Sequence, residues 1–441
     1  MKERVKSWIL ALLVLSSLIE SYYLIYRLPG TDSAVLSKNL YVKTDNMGPK
    51  DKVENMLFPD KMIIHLGDNK HTLFYPSTTF YNLILNRLKG RGFESFQRRS
   101  VQDFDWAKMR SENPGIELTF GEGIPVTLLQ RVMQLSPDSL FAGESIDRIW
   151  IYNLKNDSKA HAIFFSTRGD IVYEAAKADL TVQDVQQHVD FGKGWTMYTT
   201  VNGDYYVPEN TLSVVEAEIP SDMYTIDQMQ SSLFFDTGST RYILEKDGSE
   251  IYTDSKRSLQ VDQEQNWMSY SDPTALPAAE STPAKDALEA VEFVNQHGGW
   301  NGTYRLAVSE ESTMEPFTVV EEGIQERMVS FQQYYGAHPY GSYPIMNKPQ
   351  LRYGVINLDL QQGTVSSYER SLLYVDESKS VKKIKELSGG DTLKKQLAQI
   401  GKASAVKDLV PAYVPEVKGD MLLLRPVWKV TLSDGTVLTL N

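Results

Sequence analysis

Asp236-Thr237-Gly238-Ser239, preceded by Leu233-Phe234-Phe235, is the local signature of a pepsin-like aspartic peptidase. That chemistry needs two carboxylates sharing a proton: one stays protonated while the other activates water, and their closeness splits their pKa values. A bilobal enzyme carries a second Asp-Thr-Gly or Asp-Ser-Gly, and none occurs here. Asp32-Ser33, Asp157-Ser158 and Asp254-Ser255 all lack the glycine. A homodimeric enzyme would need a later apolar-apolar-Gly strand to brace the loop, and none stands at a suitable distance. The competing expectation is that Asp236, Thr237 and Gly238 end a helix and turn into a strand starting at Arg241, a task suited to glycine and short polar residues.

Other catalytic sets fare no better. His-Glu-x-x-His, Gly-x-Ser-x-Gly and Gly-x-x-x-x-Gly-Lys are absent, and Gly121-Glu122-Gly123 lacks the third glycine of a dinucleotide loop. The histidines His65, His71, His161, His188, His297 and His338 include no i, i+3 or i, i+4 pair, so they read as surface or strand residues rather than metal ligands. Ser380-x-x-Lys383 and Ser404-x-x-Lys407 match the start of a penicillin-binding motif whose Ser-Asp-Asn and Lys-Thr-Gly partners are missing. With no cysteine in 441 residues, disulfides, thiolate zinc sites, thiol nucleophiles and an acylated cysteine are excluded. The reading is therefore of a chain without catalytic residues, metal or cofactor.

The N-terminus offers a different kind of chemistry. Ser7 to Tyr26 is a 20-residue, mostly apolar stretch. As a helix rising about 1.5 Å per residue it crosses a hydrocarbon layer of ~30 Å. Lys2, Arg4 and Lys6 precede it and place the short N-terminus in the cytoplasm, with the remainder outside. A cleaved signal peptide shares these features, but apolar residues resume at Tyr22-Tyr23-Leu24-Ile25-Tyr26 and no Ala-x-Ala follows closely. Within the stretch, Ser7 with Ala11, Ser16 with Glu20, and Ser17 with Ser21 are i, i+4 pairs of small or polar residues, the types that let membrane helices approach and hydrogen-bond. These six are the candidate partner-contact residues. Alternatively, Glu20 reaches headgroup water and the serines bond their own backbone.

Residues 1–27 carry four cations against two carboxylates, which leaves the remainder at −14 of the chain's −12 total. So acidic a body lacks the basic stripe that nucleic-acid binding requires.

Turn residues and hydrophobic periodicity give an α+β class of antiparallel sheets with packed helices, divided as 1–28 tip and anchor, 29–55 stalk, 56–205 N-terminal ectodomain, 206–280 middle domain and 281–441 C-terminal domain. The last boundary rests on the Pro- and Ala-rich "YSDPTALPAAESTPAKD". Helices are expected at "PSTTFYNLILNRLKG" with Phe80, Leu83, Ile84 and Leu88 inward, at "IPVTLLQRVMQLSPD", after Thr225, after Thr282-Pro283, and after a cap at Asp391. Hairpins are expected at Arg168-Gly169-Asp170, Asn202-Gly203, Asp247-Gly248, Gly363 and Asp434-Gly435. The Arg-Gly-Asp triplet is thus a turn rather than an adhesion motif. "FQQYYGAHPYGSYP" is either the aromatic lining of a glycan or peptide groove, which would make the body a wall-binding scaffold, or a strand pair with its loop.

"LFFDTGSTRYILEKDGSEIYTDSKRSLQV" followed by "YSDP" resembles the middle of the YycH family, membrane-anchored regulators of the WalK/WalR (YycG/YycF) two-component system of low-GC Gram-positive bacteria. The basic apolar N-terminus, "IPVTLL", "YYVPENTLSVVEAEIP", "FVNQHGGW" and "PVWKVTLSDG" are similar in the same order, so the likeness spans nearly the whole chain, with the middle stretch the most specific. The resemblance implies a non-enzymatic, extracytoplasmic protein. It also implies a partnership with a YycI-like sister protein and action on a WalK (YycG)-type sensor histidine kinase, chiefly through transmembrane helices. It brings no catalytic residues. An extracytoplasmic peptidase using Asp236 and the wall-binding scaffold are the alternatives.

Overall fold

The computed structural model describes residues 48–154, 157–201, 205–234, 236–275, 281–309, 326–400 and 405–441, with Lys6, Val14, Ser16 and Ser17 in addition. Among them no helix is long and apolar enough to cross a membrane; the expected anchor lies outside the described residues apart from Val14, Ser16 and Ser17, which are helical and exposed.

Tight turns fold neighbouring segments back on each other from the start. Strands β1 (Lys61–Gly67) and β2 (Lys70–Phe74) are joined by Asp68 and Asn69, both at positive φ, the backbone that a two-residue hairpin requires. They build a ten-stranded sheet with β3 (Gly92–Ser100), β4 (Gly115–Pro125), β5 (Gln134–Leu135), β6 (Ser145–Asn153), β7 (Ala160–Ser166), β8 (Ile171–Ala178), β9 (Met197–Val201) and β10 (Tyr205–Pro208). Its order is β10-β9-β2-β1-β4-β6-β7-β8-β3-β5, antiparallel except for the β3–β5 pair. Alternation sets its two faces. Ile149 and Ile151 of β6 join the core under α1 (Thr79–Lys89), whereas Trp150 and Tyr152 pack on Trp106 and Met109 of α2 (Trp106–Glu112). The α1 stripe is Tyr81, Ile84, Leu85 and Leu88; Leu83, expected inward, is exposed. "IPVTLLQRV" makes only the single turn α3 (Val126–Leu129), because the chain must drop at once into β5 beside β3. A further helix, α4 (Val182–Asp190), adds Val185 and Val189 to the α1 side of the core.

The chain then lays down β11 (Leu212–Met223), the first strand of a second sheet, and departs from it. Helix α5 (Ile226–Leu233) begins with the expected Thr225–Gln228 capping box. A nine-stranded antiparallel sheet follows, from β12 (Arg241–Leu244), β13 (Glu250–Thr253), β14 (Ser258–Asp262) and β15 (Trp267–Ser271), then α6 (Pro283–Gln296), then β16 (Thr303–Ser309), β17 (Glu326–Gly336), β18 (Ser342–Pro344), β19 (Val355–Gln361) and β20 (Thr364–Ser371). Because β15 pairs directly with β20, Trp267 to Ser271 against Ser371 to Ser367, strands from both sides of residue 280 belong to one sheet. The boundary expected there does not separate two sheets, since β12 to β15 and β16 to β20 form one. Finally β21 (Leu373–Val375), β22 (Val381–Leu387), α7 (Gly390–Gln399), β23 (Val406–Lys418), β24 (Met421–Leu432) and β25 (Val437–Leu440) return to β11 and complete a six-stranded sheet. Asp391 lies within the first turn of α7 rather than capping it; the N-cap is Gly389.

Contacts between strands and loops fasten the three sheets. Lys61 of β1 is 2.6 Å from Asp408 of β23, Arg305 of β16 donates to the Phe120 carbonyl of β4 at 2.7 Å, and the Ser342 amide donates to the Pro76 carbonyl at 2.7 Å. Helix α6 is held to its sheet at both ends. Near its start, buried Asp286 takes a close ion pair from buried Arg327 of β17 and a 2.9 Å hydrogen bond from Ser281. Past its end, Tyr368 donates to the His297 carbonyl at 2.7 Å and Arg370 to the Gly299 carbonyl at 2.9 Å, both from β20.

Removing one member of a buried ion pair leaves the other charged and unpaired. Asp286→Ala is expected to lower stability by about 3–5 kcal/mol, read as a drop in the urea midpoint, and adding Arg327→Leu should recover a large part of the loss.

Candidate functional site

Asp236 is exposed and occupied with its own turn. Its Oδ1 accepts from the Gly238 amide at 2.9 Å, and a single 3-10 turn, Thr237–Ser239, leads on to β12. No hydrogen bond among the described residues joins it to a second carboxylate. The junction expected from the sequence is what forms. The other weak matches dissolve likewise: Gly121-Glu122-Gly123 lies in an irregular part of β4 where the register with β6 shifts, and Lys383 of β22 pairs with Glu218 at 3.1 Å. Arg168-Gly169-Asp170 is the β7–β8 turn, with Gly169 at φ +80°. The aromatic run from Phe331 to Pro344 is β17, its loop and β18, and Tyr334, Tyr335 and Tyr343 are buried against other rings rather than lining a groove. Asn202-Gly203 and Ser404 lie outside the described residues, as do Ser7, Ala11, Glu20 and Ser21 of the candidate anchor contacts.

One polar cluster has the composition of an acid–base site. His65 and His71 face each other across the β1–β2 hairpin, with Nδ1 atoms 3.0 Å apart. His65 Nε2 is 2.9 Å from Glu117 Oε2, which also accepts from Arg110 Nε at 2.9 Å, while Glu117 Oε1 accepts from Arg110 Nη2 at 3.1 Å and lies 3.2 Å from Arg148 Nε. Burial pushes the Glu117 carboxyl up, but the Arg110 charge, the His65 hydrogen bond and Arg148 together hold it well below the usual carboxylate range. An ionised Glu117 only accepts, so these bonds assign the proton to His65 Nε2 and make His65 Nδ1 the acceptor of the His71 Nδ1 proton. Burial lowers both imidazoles, His71 to about 3. His65, His71 and Glu117 are sealed from solvent, and both Glu117 oxygens are already bonded. The cluster fastens β1, β2, β4, α2 and β6 together. The spacing rule for histidine pairs missed it because the two residues meet across a turn, and the available signal was Gly67-Asp68-Asn69 between them. Among the described residues no group of three His, Cys, Asp or Glu side chains could hold a metal.

A second cluster of contacts lies where the chain enters the folded body. From Gly48 onward the backbone lies against the end of α6. Asn295 grips it on both sides: its Oδ1 accepts from the Asp51 amide at 2.9 Å and its Nδ2 donates to the Asp51 carbonyl at 3.0 Å. The Trp300 amide donates to the Pro49 carbonyl at 3.0 Å, and Trp300 Nε1 donates to Asn295 Oδ1 at 2.8 Å. The Trp300 ring stands edge-on to Tyr304 and Phe331. Gly298 and Gly299, at φ +115° and +66°, let the chain leave α6 this close to the strap; a Cβ on Gly299 would sit 2.5 Å from the Gly48 carbonyl oxygen. His297 reaches Ser232 of α5, with Nδ1 2.8 Å from its carbonyl oxygen, and so ties in the helix that precedes Asp236. Beyond the grip, Val53, Met56 and Leu57 are buried and Arg131 donates to Glu54 at 2.6 Å. "FVNQHGGW" thus encodes a clamp on residues 48–51, the last part of the segment expected as the stalk, which from Gly48 on is docked to the body.

Two outcomes follow from these geometries. Gly299→Ala adds positive-φ strain of about 1–3 kcal/mol and pushes on the strap, so hydrogen exchange at the Trp300 and Asp51 amides should speed up while exchange in β6 and β7 stays unchanged. Burial lowers His188 and His297 to about 4 as well, with Arg87 adding to the shift at His188. Each histidine binds its proton more readily when unfolded, so its contribution is complete above the unfolded pKa of about 6.5 and is lost as pH falls toward the folded value. The urea midpoint should therefore decline steadily from pH 6.5 to 4.5, and His188→Met should remove up to about 1.4 kcal/mol per pH unit of that slope.

Family models match the chain over most of its length: YycH protein, N-terminal domain, at residues 3–190, and YycH protein, C-terminal domain, at residues 202–438. No curated protein matches. The crystal structure of YycH from Bacillus subtilis is similar in fold, with TM-score 0.64 at 16% identity over 89% of this chain and 98% of that one. An uncharacterized protein from Eubacterium rectale matches over 55% of this chain and 88% of that one at 10% identity, with TM-score 0.36. With both halves matched in order, the chain belongs to the YycH family, a regulatory family rather than an enzyme family.

Proposed function

We propose that the chain is a single-pass membrane protein, N-terminus in the cytoplasm and body outside, that regulates a YycG (WalK)-type sensor histidine kinase together with a YycI-like sister protein, without catalysing a reaction. The observation that carries this reading is the family match at residues 3–190, which takes in the basic, apolar N-terminus. A regulator of this kind acts only if it binds two kinase states unequally, because equal binding shifts nothing. Membrane-helix packing supplies such a difference when small and polar side chains meet a partner helix in one state and lipid in the other. Ser7, Ala11, Ser16, Ser17, Glu20 and Ser21 are the residues assigned to that contact. The clamp at Asn295, Gly299 and Trp300 supports the same reading: it fixes the body to the end of the stalk, so that a displacement of the body is passed toward the membrane.

The test is to replace Ser16, Ser17, Glu20 and Ser21 by leucine in the full chain. Co-purification with the kinase should weaken by about 2 kcal/mol, roughly thirtyfold, and kinase output should change in parallel. If both stay unchanged, helix contact is not the mechanism. Asp236→Asn should alter neither; peptide cleavage by the purified protein that stops in this variant would replace the regulator reading with the peptidase.

A further inference from the structure

Among the described residues, strand β12 ends the nine-stranded sheet and pairs only with β13. It is four residues long, and Tyr242, Ile243 and Leu244 are exposed by 55%, 48% and 61%. The six-stranded sheet treats its own exposed strand differently: β22 sets Lys382, Lys383 and Lys385 among its apolar residues, the usual guard against edge-to-edge pairing. No lysine lies within β12.

The hydrogen-bond phase of β12 is fixed by its hairpin. The Glu245 amide donates to the Ser249 carbonyl at 2.9 Å, in line with the register Leu244 to Glu250 and Ile243 to Ile251. Polar backbone groups alternate in direction along an antiparallel strand. Those of Arg241, Ile243 and Glu245 therefore aim at β13, and those of Tyr242 and Leu244 aim outward from the sheet. A strand added at this edge must answer Tyr242 and Leu244.

We propose that the occupant is a second copy of this chain, joined edge to edge through β12 about a two-fold axis at Ile243. In that register Tyr242 of each copy exchanges backbone hydrogen bonds with Leu244 of the other, four in all. Ile243 faces Ile243, and Arg241 faces Glu245 at both ends. Arg241 and Glu245 are exposed, and among the described residues neither makes an ion pair within the chain. Registers displaced by one residue set outward-aimed groups against inward-aimed ones and make no bonds. A displacement by two in either direction sets one of the charges against Ile243. One register therefore satisfies the hydrogen bonds, the apolar pairs and both charges together. Its small area belongs with weak, transient interfaces, so it should be read by trapping. The contact requires neither the kinase nor the sister protein.

A chain with no cysteine makes the trap clean. Ile243 would occupy a non-hydrogen-bonded pair, with Cα atoms about 4.5 Å apart, within the ~4.4–6.8 Å range of disulfides. Purified full chain carrying Ile243→Cys, in detergent under mild copper-phenanthroline oxidation, should form a linked dimer at least about tenfold faster than chain carrying Leu140→Cys, since the latter lies on an equally open surface without a complementary edge. In the Ile243→Cys background, Arg241→Glu should slow linking by at least about fivefold by placing carboxylate against carboxylate, and Arg241→Glu with Glu245→Arg should restore it. Linking no faster than at position 140, or a charge exchange that fails to restore it, would overturn the proposal.

Discussion

A guanidinium taken out of water must find carboxylates or carbonyls, and in this molecule that demand decides what is fixed to what. Arg327 and Arg370 stand on neighbouring parts of the nine-stranded sheet and reach opposite ends of α6, one to Asp286 and the other to the Gly299 carbonyl. Arg305 crosses from the same sheet to the Phe120 carbonyl of the ten-stranded one. Each bond joins residues far apart in the chain, and each leaves a buried charge costing several kcal/mol if broken from one side. A helix clamped at both ends presents its last turn at a defined place. That place is where Asn295 and Trp300 take hold of Gly48 to Asp51.

The path of the chain shows why such long-range fastenings are needed. The six-stranded sheet starts with β11, is interrupted by the entire nine-stranded sheet, and is completed only by β21 to β25. The interruption leaves and returns at adjacent points, since Ser221 pairs with Val375 and the Tyr224 amide donates to the Leu372 carbonyl at 2.9 Å. Two sheets that share such a neck would be free to swing about it. The additional ties at Arg305, Ser342 and the Lys61–Asp408 pair hold them against the ten-stranded sheet.

Turns and caps were legible in the amino-acid order because their causes are local. Asp247-Gly248, Gly363 and Asp434-Gly435 each fold one strand onto the next, and Thr225, Gln228, Thr282 and Pro283 start helices where expected. Pairings over long distances were not legible. Nothing near residue 270 announces that Tyr270 will face Tyr368, so the composition of the Pro- and Ala-rich segment read as a boundary within what is one sheet. Strand β22 is exposed at every position but Leu387 and carries no alternation to mark it. That Asp236 stands at a helix-to-strand junction could be argued from glycine and short polar residues alone, and a 3-10 turn at Thr237–Ser239 leads there into β12. The clamp was visible only as a familiar string, since the use of Asn295 depends on a segment 244 residues earlier in the chain.

Under the proposed function, the grip must also be strong enough for its task. Shifting a two-state kinase tenfold requires a differential of about 1.4 kcal/mol. If the strap came away from α6 for less than that, movement of the body would be spent in undocking and none would reach the membrane. Burying Val53, Met56 and Leu57 stabilises the docked strap by about 4–9 kcal/mol before any hydrogen bond is counted. Part of that survives only as an upper bound, because the released strap would keep some apolar contacts. Even at half the lower figure, undocking costs more than the shift in the kinase, so the weaker element is the equilibrium to be regulated and not the joint that acts on it.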